Sequence, residues 1–162
     1  MSRLYFLFCS ILLIPAFVAC HHTTQQAQST NSAVQAPSQP TEQALPAVPA
    51  GAKVYFKNLK DGQVVQNPIR VEMGVLGMRV DSAGLVREGS GHHHLLIDDG
   101  DSIPTGQVIP KDSTHLHFGN AQTEAVLQLP PGTHKLTLQF ADGMHRSYGQ
   151  QMAASITIQV KK

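Results

Sequence analysis

The sequence predicts an all-β domain, an immunoglobulin-like antiparallel β-sandwich of about seven strands, over residues 52–162. Short runs in which apolar and polar residues alternate recur from residue 53 onward, and this is the period of a half-buried strand. Turn pairs such as Asp61-Gly62 and Asn67-Pro68 separate the runs, and no stretch shows a helical period. A small closed barrel is the alternative architecture.

Each predicted strand is a short run with this alternation. In the first, Val54 and Phe56 alternate with polar neighbours, and in the fifth and sixth a Pro130-Pro131-Gly132 turn separates "TEAVLQL" from "HKLTLQF". In chain order the runs cover residues 53–57, 69–75, 92–98, 114–118, 123–129, 134–140 and 155–160.

The N-terminus has the form of an export signal, because Arg3 precedes the apolar stretch Leu4 to Ala19. Small residues before Cys20 resemble the signal of bacterial lipoproteins. That resemblance implies a cleaved signal peptide at residues 1–19, a membrane anchor through lipidated Cys20 and, since His21 rather than Asp follows, an outer-membrane lipoprotein facing the periplasm. The alternative is an uncleaved anchor, for which the stretch is short against the roughly 20 residues of a spanning helix.

Residues 20–51 are predicted to form a disordered tether. They are rich in Gln, Ser, Thr, Ala and Pro, with Glu42 as the single charge, and bury too little apolar surface to offset the entropy of ordering. After cleavage no thiol remains, because Cys9 leaves with the signal and Cys20 carries lipid. Disulfides, cysteine-bound zinc and a cysteine nucleophile are therefore excluded.

The charge balance argues against nucleic acid as a partner. The chain has 12 Lys and Arg against 11 Asp and Glu, and its longest basic run is Lys161-Lys162. A nucleic-acid interface requires a basic patch that neutralises phosphates. A protein or cell-wall partner is left open.

Three consecutive histidines open the third predicted strand, "GHHHLLID". Neighbouring side chains in a strand face opposite sides, so His93 shares a face with Leu95 and Ile97 while His92 and His94 share the other. The first face is the more apolar and should be the core face. The sequence therefore predicts that His93 is a structural, hydrogen-bonded histidine and that His92 and His94 point outward.

The run "THLHF" repeats this arrangement, because Leu116 and Phe118 are the natural core residues and His115 and His117 fall opposite them. If the two strands are neighbours in one sheet, four imidazoles occupy one patch and can converge on one ion at about 2.0 to 2.1 Å. Ordinary surface contacts between strands are the alternative. The predicted metal ligands are His92, His94, His115 and His117.

Two further histidines receive different predictions. His134 is an even number of residues from the core residues that follow it, so its side chain should lie on the same face of the strand as theirs. We therefore expect a structural histidine at the edge of the core, hydrogen-bonded to backbone. His145 lies in the turn-rich segment 142–149, from which a loop side chain can reach a sheet edge, and is an alternate metal ligand.

Without thiolates, imidazole must dominate the ligand set, which suits Zn or Cu better than Mg or Ca. Met144 beside His145, with Met78 and Met152 elsewhere, would add soft sulfur for copper. Asp98 or Asp99 would orient a ligating imidazole, although a turn role fits their position equally well.

Four stretches resemble a known family. "GHHHLLID", "THLHFGNAQTEAVLQLPPGTHKLTLQF" and "SITIQV", with "NLKDGQVVQNPIRVEMGVLGM" upstream, are similar to domain-of-unknown-function family 4399, a bacterial exported domain. The resemblance covers about Val54 to Val160. It implies an exported domain and assigns no activity.

Three classes of function are left open. The first is a metal-binding periplasmic module, and the second is a non-catalytic adhesion or scaffolding module of the cell envelope. The third is an enzyme in which a metal activates water, with Glu124 or Asp142 as base. The sequence has no nucleophile elbow, no His-Glu-x-x-His motif and no phosphate-binding glycine loop, so it predicts a protein that is not an enzyme.

Overall fold

The structure is a computed structural model that describes residues 43–162. The predicted signal peptide, Cys20 and most of the predicted tether lie outside these residues. Within them the fold is all-β, as predicted, and the longest helix is a single 3-10 turn, so no helix there has the length to cross a membrane. The strands are β1 (Lys53–Phe56), β2 (Gln63–Val65), β3 (Ile69–Leu76), β4 (Arg79–Val80), β5 (Ser90–Ile97), β6 (His115–His117), β7 (Glu124–Leu127), β8 (Gly132–Ala141) and β9 (Ala153–Val160), with the 3-10 turn at Gln150–Met152.

The strands form two sheets. The smaller has the order β1-β3-β7, and the larger has the order β2-β9-β8-β5-β4, with β6 also pairing with β5. Most pairs are antiparallel, as predicted, but β2 pairs with β9 and β4 pairs with β5 in parallel. These two short strands also raise the number above the predicted seven. Their runs of two or three residues are too short to show an alternating pattern.

The apolar faces of the two sheets meet in one core. Strand alternation places the inward residues of β5 opposite those of β8, where Leu95 pairs with Leu138. At the first residue of β5, the hydroxyl of the core residue Tyr148 donates to the Ser90 carbonyl oxygen at 2.8 Å. The core includes Val54, Ile69, Val71 and Met73 from the smaller sheet and Leu95, Leu136, Leu138, Phe140 and Ile158 from the larger.

The described residues that precede β1 belong to the same compact unit as the strands. Leu45 and Val48 pack against the core, and the Arg146 guanidinium donates to the carbonyl oxygens of Gln43 and Ala44. The segment 43–51 therefore contacts the domain, although the sequence assigned it to the tether. Two apolar side chains in a Pro- and Ala-rich stretch, together with the hydrogen bonds from Arg146, hold it there.

Two loops cover the outer face of β5. Ile109 N donates to His145 O at 3.0 Å and Ser147 N donates to Gln107 O at 2.9 Å, so the loops after β5 and β8 are bonded to each other. All residues of β5 except the last are buried as a result. The alternation of the strand was predicted, but the outward face that it implies is not exposed to solvent.

Candidate metal centre

Four imidazoles lie together on the covered face of the larger sheet. The ring centroids of His92 and His94 are 4.8 Å apart, and those of His117 and His145 are 4.7 Å apart. Between the two pairs, the His92 ring is 5.0 Å from that of His117 and 5.0 Å from that of His145. We call these four residues the histidine cluster. Within it, His92, His94 and His117 offer ligand atoms that all lie within 4.8 Å of one another, close enough to hold one ion.

Strand register brings three of these residues together. His94 on β5 lies directly opposite His117 on β6, and His92 is two residues earlier on the same face of β5. Because directly opposite side chains are about 5 Å apart and those two apart on one strand are about 7 Å apart, their rings meet above the sheet. This is the geometry that the two His-x-His motifs predict when their strands are neighbours.

The loop after β8 brings His145 to the cluster. Its backbone is in the left-handed region, with φ 65°. The Asp142 carboxylate, fully buried, accepts hydrogen bonds from the backbone N–H of Met144 and of Arg146, both at 2.9 Å, and from Arg146 Nε at 2.8 Å. One carboxylate thus fixes the turn on both sides of His145. The turn-rich composition of segment 142–149 was the only sign of this turn in the sequence.

The closest contacts within the cluster join like nitrogens. His92 Nε2 is 3.0 Å from His94 Nε2, and His117 Nε2 is 3.1 Å from His145 Nε2. As hydrogen bonds, each pair requires one N–H donor and one lone-pair acceptor, and therefore two different tautomers. A tetrahedral ion bound at about 2.0 to 2.1 Å separates its nitrogens by about 3.3 Å, so each pair lies near the spacing of two metal ligands.

Burial keeps the imidazoles in the form that binds metal. It lowers the pKa of His92 to about 4 and that of His94 to about 2, and repulsion between neighbouring rings adds to the effect. The pKa of His117 is also lowered, by burial first and then by His145. These rings are therefore neutral at pH 7, and a metal ion can bind them without displacing protons that would otherwise charge them.

The outer contacts of the cluster are mostly apolar. Nδ1 of His92 and Nδ1 of His94 have no hydrogen-bond partner among residues 43–162. Metal-bound imidazoles usually donate this second N–H to a carboxylate or carbonyl. In this protein the rings are oriented by packing and by their mutual contacts. The suggested partners lie elsewhere, since Asp98 binds His134 and Asp99 binds His115.

His115 lies outside the cluster, although the sequence placed it among the ligands. It pairs with Leu96, two residues along the sheet from His94. Its Nδ1 is 2.9 Å from Asp112 Oδ1 and its Nε2 is 3.0 Å from Asp99 Oδ2. The alternation of the strand predicts the face of the sheet on which His115 lies. The register, however, places His115 at the first residue of β6, where Asp99 and Asp112 contact its two ring nitrogens.

The two histidines predicted to be structural differ in their contacts. His134 Nε2 is 2.9 Å from the Pro130 carbonyl oxygen, and its Nδ1 is 2.7 Å from Asp98 Oδ2, a bond that raises its pKa. His93 is buried against Phe140, with ring centroids 5.0 Å apart in an edge-to-face arrangement. Neither of its ring nitrogens has a hydrogen-bond partner among the described residues. The buried hydrogen bond that we predicted for His93 is therefore not found with the described residues.

The methionines considered for copper do not join the cluster. Met78 and Met152 belong to the hydrophobic core, and the Met144 side chain is 56% exposed on the loop. The arrangement is therefore an all-imidazole site, without thiolate or thioether. Such a donor set suits Zn and Cu ions.

Gly119 leaves room for the His117 ring. A Cβ at this position would overlap Cε1 and Nε2 of His117 and would lie 3.2 Å from the Ala83 Cβ. We expect Gly119→Ala to displace this ring and to weaken Zn²⁺ binding about tenfold or more, although no imidazole is removed. Isothermal titration with Zn²⁺ measures the effect. Asn120→Ala, at the neighbouring exposed position, is the control, and equal affinities in the two variants would contradict the prediction.

Comparison with known proteins identifies a family and nothing further. No curated protein and no solved structure matches the chain. Residues 71–161 match the family described as Domain of unknown function (DUF4399), and this span contains all four residues of the histidine cluster. The resemblance found in the sequence motifs is thus confirmed, and the chain belongs to this family.

Proposed function

We propose that the protein binds one transition-metal ion through the histidine cluster. The observation that carries the proposal is the meeting of four imidazoles from three separate segments, with Nε2 atoms paired at 3.0 and 3.1 Å. His92 and His94 are buried and His117 and His145 are partly buried, and burial of polar rings costs free energy unless they gain partners. A shared metal ion would supply a partner to every ring at once.

The proposed metal is Zn²⁺ or a copper ion. Imidazole nitrogen binds both, and the neutral state of His92 and His94 at pH 7 favours binding of either. Mg²⁺ and Ca²⁺ prefer oxygen ligands, and no carboxylate belongs to the group of described residues that lies within reach of one ion.

The proposed setting is the periplasmic side of the cell envelope. The apolar N-terminal stretch followed by Cys20 supports a lipoprotein anchored in the outer membrane. In that compartment the absence of thiols from the mature chain leaves imidazole nitrogen as the main donor for a transition metal. The protein would then hold its ion at the end of a membrane tether.

The proposed role is binding rather than catalysis. Of the two acidic residues considered as a base, Glu124 lies on the smaller sheet and pairs with Arg70 at 2.8 Å. Asp142 is buried and its Oδ2 is 2.7 Å from Arg146 Nη2, so both of its oxygens are occupied. Neither carboxylate is free to move a proton at the cluster.

The test is the metal content of the full chain, purified without an affinity tag and measured by mass spectrometry after exposure to Zn²⁺ or Cu²⁺. We expect one ion per chain and a higher melting temperature with metal bound. In His94→Ala and His117→Ala, we expect affinity to fall by more than the roughly 10- to 100-fold that loss of an outer partner costs.

Two matched substitutions serve as controls. His134→Ala removes an imidazole outside the cluster and should leave metal content unchanged. His115→Ala distinguishes the histidine cluster from the ligand set expected from sequence, and should also retain the ion. A chain that takes up neither metal, or that keeps its ion in both His94→Ala and His117→Ala, contradicts the proposal.

A further inference from the structure

A pocket of about 400 Å³ opens onto the histidine cluster. It is in the size range of small-molecule sites, which are mostly apolar with a few placed polar groups. The pocket wall has two kinds of residue besides the imidazoles, namely two aliphatic side chains and one cation. The lining residues are His94, His117, His145, Val108, Ile109 and Lys111.

The charges around the pocket are unbalanced once a divalent ion is bound. Four neutral imidazoles leave the full double positive charge on the ion. The carboxylates nearby are already engaged, since Asp142 pairs with Arg146 and both Asp99 and Asp112 pair with His115. A charge removed from water without a counter-charge is costly. The site therefore favours an additional anionic ligand.

Lys111, which lines the pocket, also favours an anionic ligand. It is exposed, and it lines the pocket beside His117. Its ammonium group would attract an anion and would repel a second cation. Val108 and Ile109 offer that anion no hydrogen bonds, so they suit a hydrocarbon group better than a fully hydrated inorganic ion.

We infer that the pocket binds a small organic monocarboxylate beside the metal ion. The carboxylate lies toward the ion and Lys111, and the hydrocarbon part packs against Val108 and Ile109. This inference rests on the proposed metal site. It names the class of ligand that would add a fifth donor to the four imidazoles, a short-chain carboxylic acid anion.

The test is isothermal titration of the Zn²⁺-loaded full chain with propionate and with propionamide, its neutral analogue. Propionate should bind at least about tenfold more tightly, because only the carboxylate gains the metal and Lys111. Lys111→Gln should weaken propionate binding about three- to tenfold. Lys161→Gln near the C-terminus, the matched control, should leave it unchanged. In the Co²⁺-loaded chain, propionate should also alter the visible absorption of the metal.

Each other outcome overturns the inference. Equal affinities for propionate and propionamide would show that the charge of the ligand does not contribute to binding. An unchanged affinity in Lys111→Gln would show that Lys111 does not contribute. Tighter binding of chloride or inorganic phosphate than of propionate would show that the pocket takes an inorganic anion instead of an organic one. Metal content is measured on the same samples. A chain with one ion and no bound propionate overturns this inference alone, whereas a chain without metal overturns the proposed function as well.

Discussion

Lowering the pH from about 6.5 to 4 is expected to remove about 3 kcal/mol or more from the free energy of unfolding of the metal-free protein. Burial lowers the pKa of His93 to about 4 and that of His92 to about 4. In the unfolded chain the same imidazoles titrate near 6.5. Between these values the unfolded chain binds protons that the folded chain does not. Stability is therefore complete above about pH 6.5 and falls as the pH drops toward 4, with about 3 kcal/mol from His93 alone.

Urea unfolding at pH 7, 6, 5 and 4, in the presence of a chelator, measures this loss. His93→Leu should reduce it by about 3 kcal/mol. The same variant should not be less stable at pH 7, since His93 makes no hydrogen bond with the described residues.

His134→Leu is the matched control for the acid effect, because its sign is opposite. The pKa of His134 is raised by its bond to Asp98, so its contribution to stability is complete at low pH and disappears as the pH rises. Removing it should steepen the acid loss. A protein equally stable at pH 4 and pH 7 would contradict the assigned burial of His92 and His93.

Asp142→Ala is expected to lower the free energy of unfolding by about 3 to 5 kcal/mol. The substitution leaves the Arg146 guanidinium, whose side chain is only 15% exposed, without its carboxylate. It also leaves the backbone N–H groups of Met144 and Arg146 without acceptors. Because these two residues flank His145, the loop that carries His145 should loosen, and we expect a weaker affinity for Zn²⁺ in the same variant. Urea unfolding and metal titration measure the two effects.

Asp101→Ala provides the comparison for this loss. Asp101 pairs with Lys135 at 2.7 Å, but both side chains are exposed, by 66% and 41%, so the loss of stability should be much smaller than for Asp142→Ala. Asp142→Ala combined with Arg146→Leu removes both charges and should recover part of the stability. Equal losses in the Asp142 and Asp101 variants would show that burial of the pair contributes nothing.

The fold was predictable where alternation is long enough to be counted. Strands β3, β5, β8 and β9 each have eight or more residues, and their inward and outward positions follow from period two. The parallel pairs made by β2 and β4 were not predictable, because these strands have only three and two residues and show no alternation. The packing of Leu45 and Val48 was missed for a similar reason, since two isolated apolar residues form no pattern.

The candidate site was predictable to the extent that it depends on the two-residue period of a strand. That period places His92, His94 and His117 on one face, and the β5–β6 register brings them together. The position of His145 depends instead on one buried carboxylate and one left-handed residue, which composition does not reveal. His115 was predicted to be a ligand because alternation assigns a residue only to a face of the sheet. Alternation gives neither the position along the strand nor the contacts with Asp99 and Asp112.

Arg146 joins the first described residues to the loop that carries His145, because its guanidinium donates to the carbonyl oxygens of Gln43 and Ala44. Gln43 lines one surface pocket with Val108, Met144 and Arg146, and Val108 also lines the pocket over the imidazoles. The segment that begins at Gln43 therefore packs beside the opening of that pocket. A substitution at Arg146 would consequently disturb both this segment and one wall of the opening.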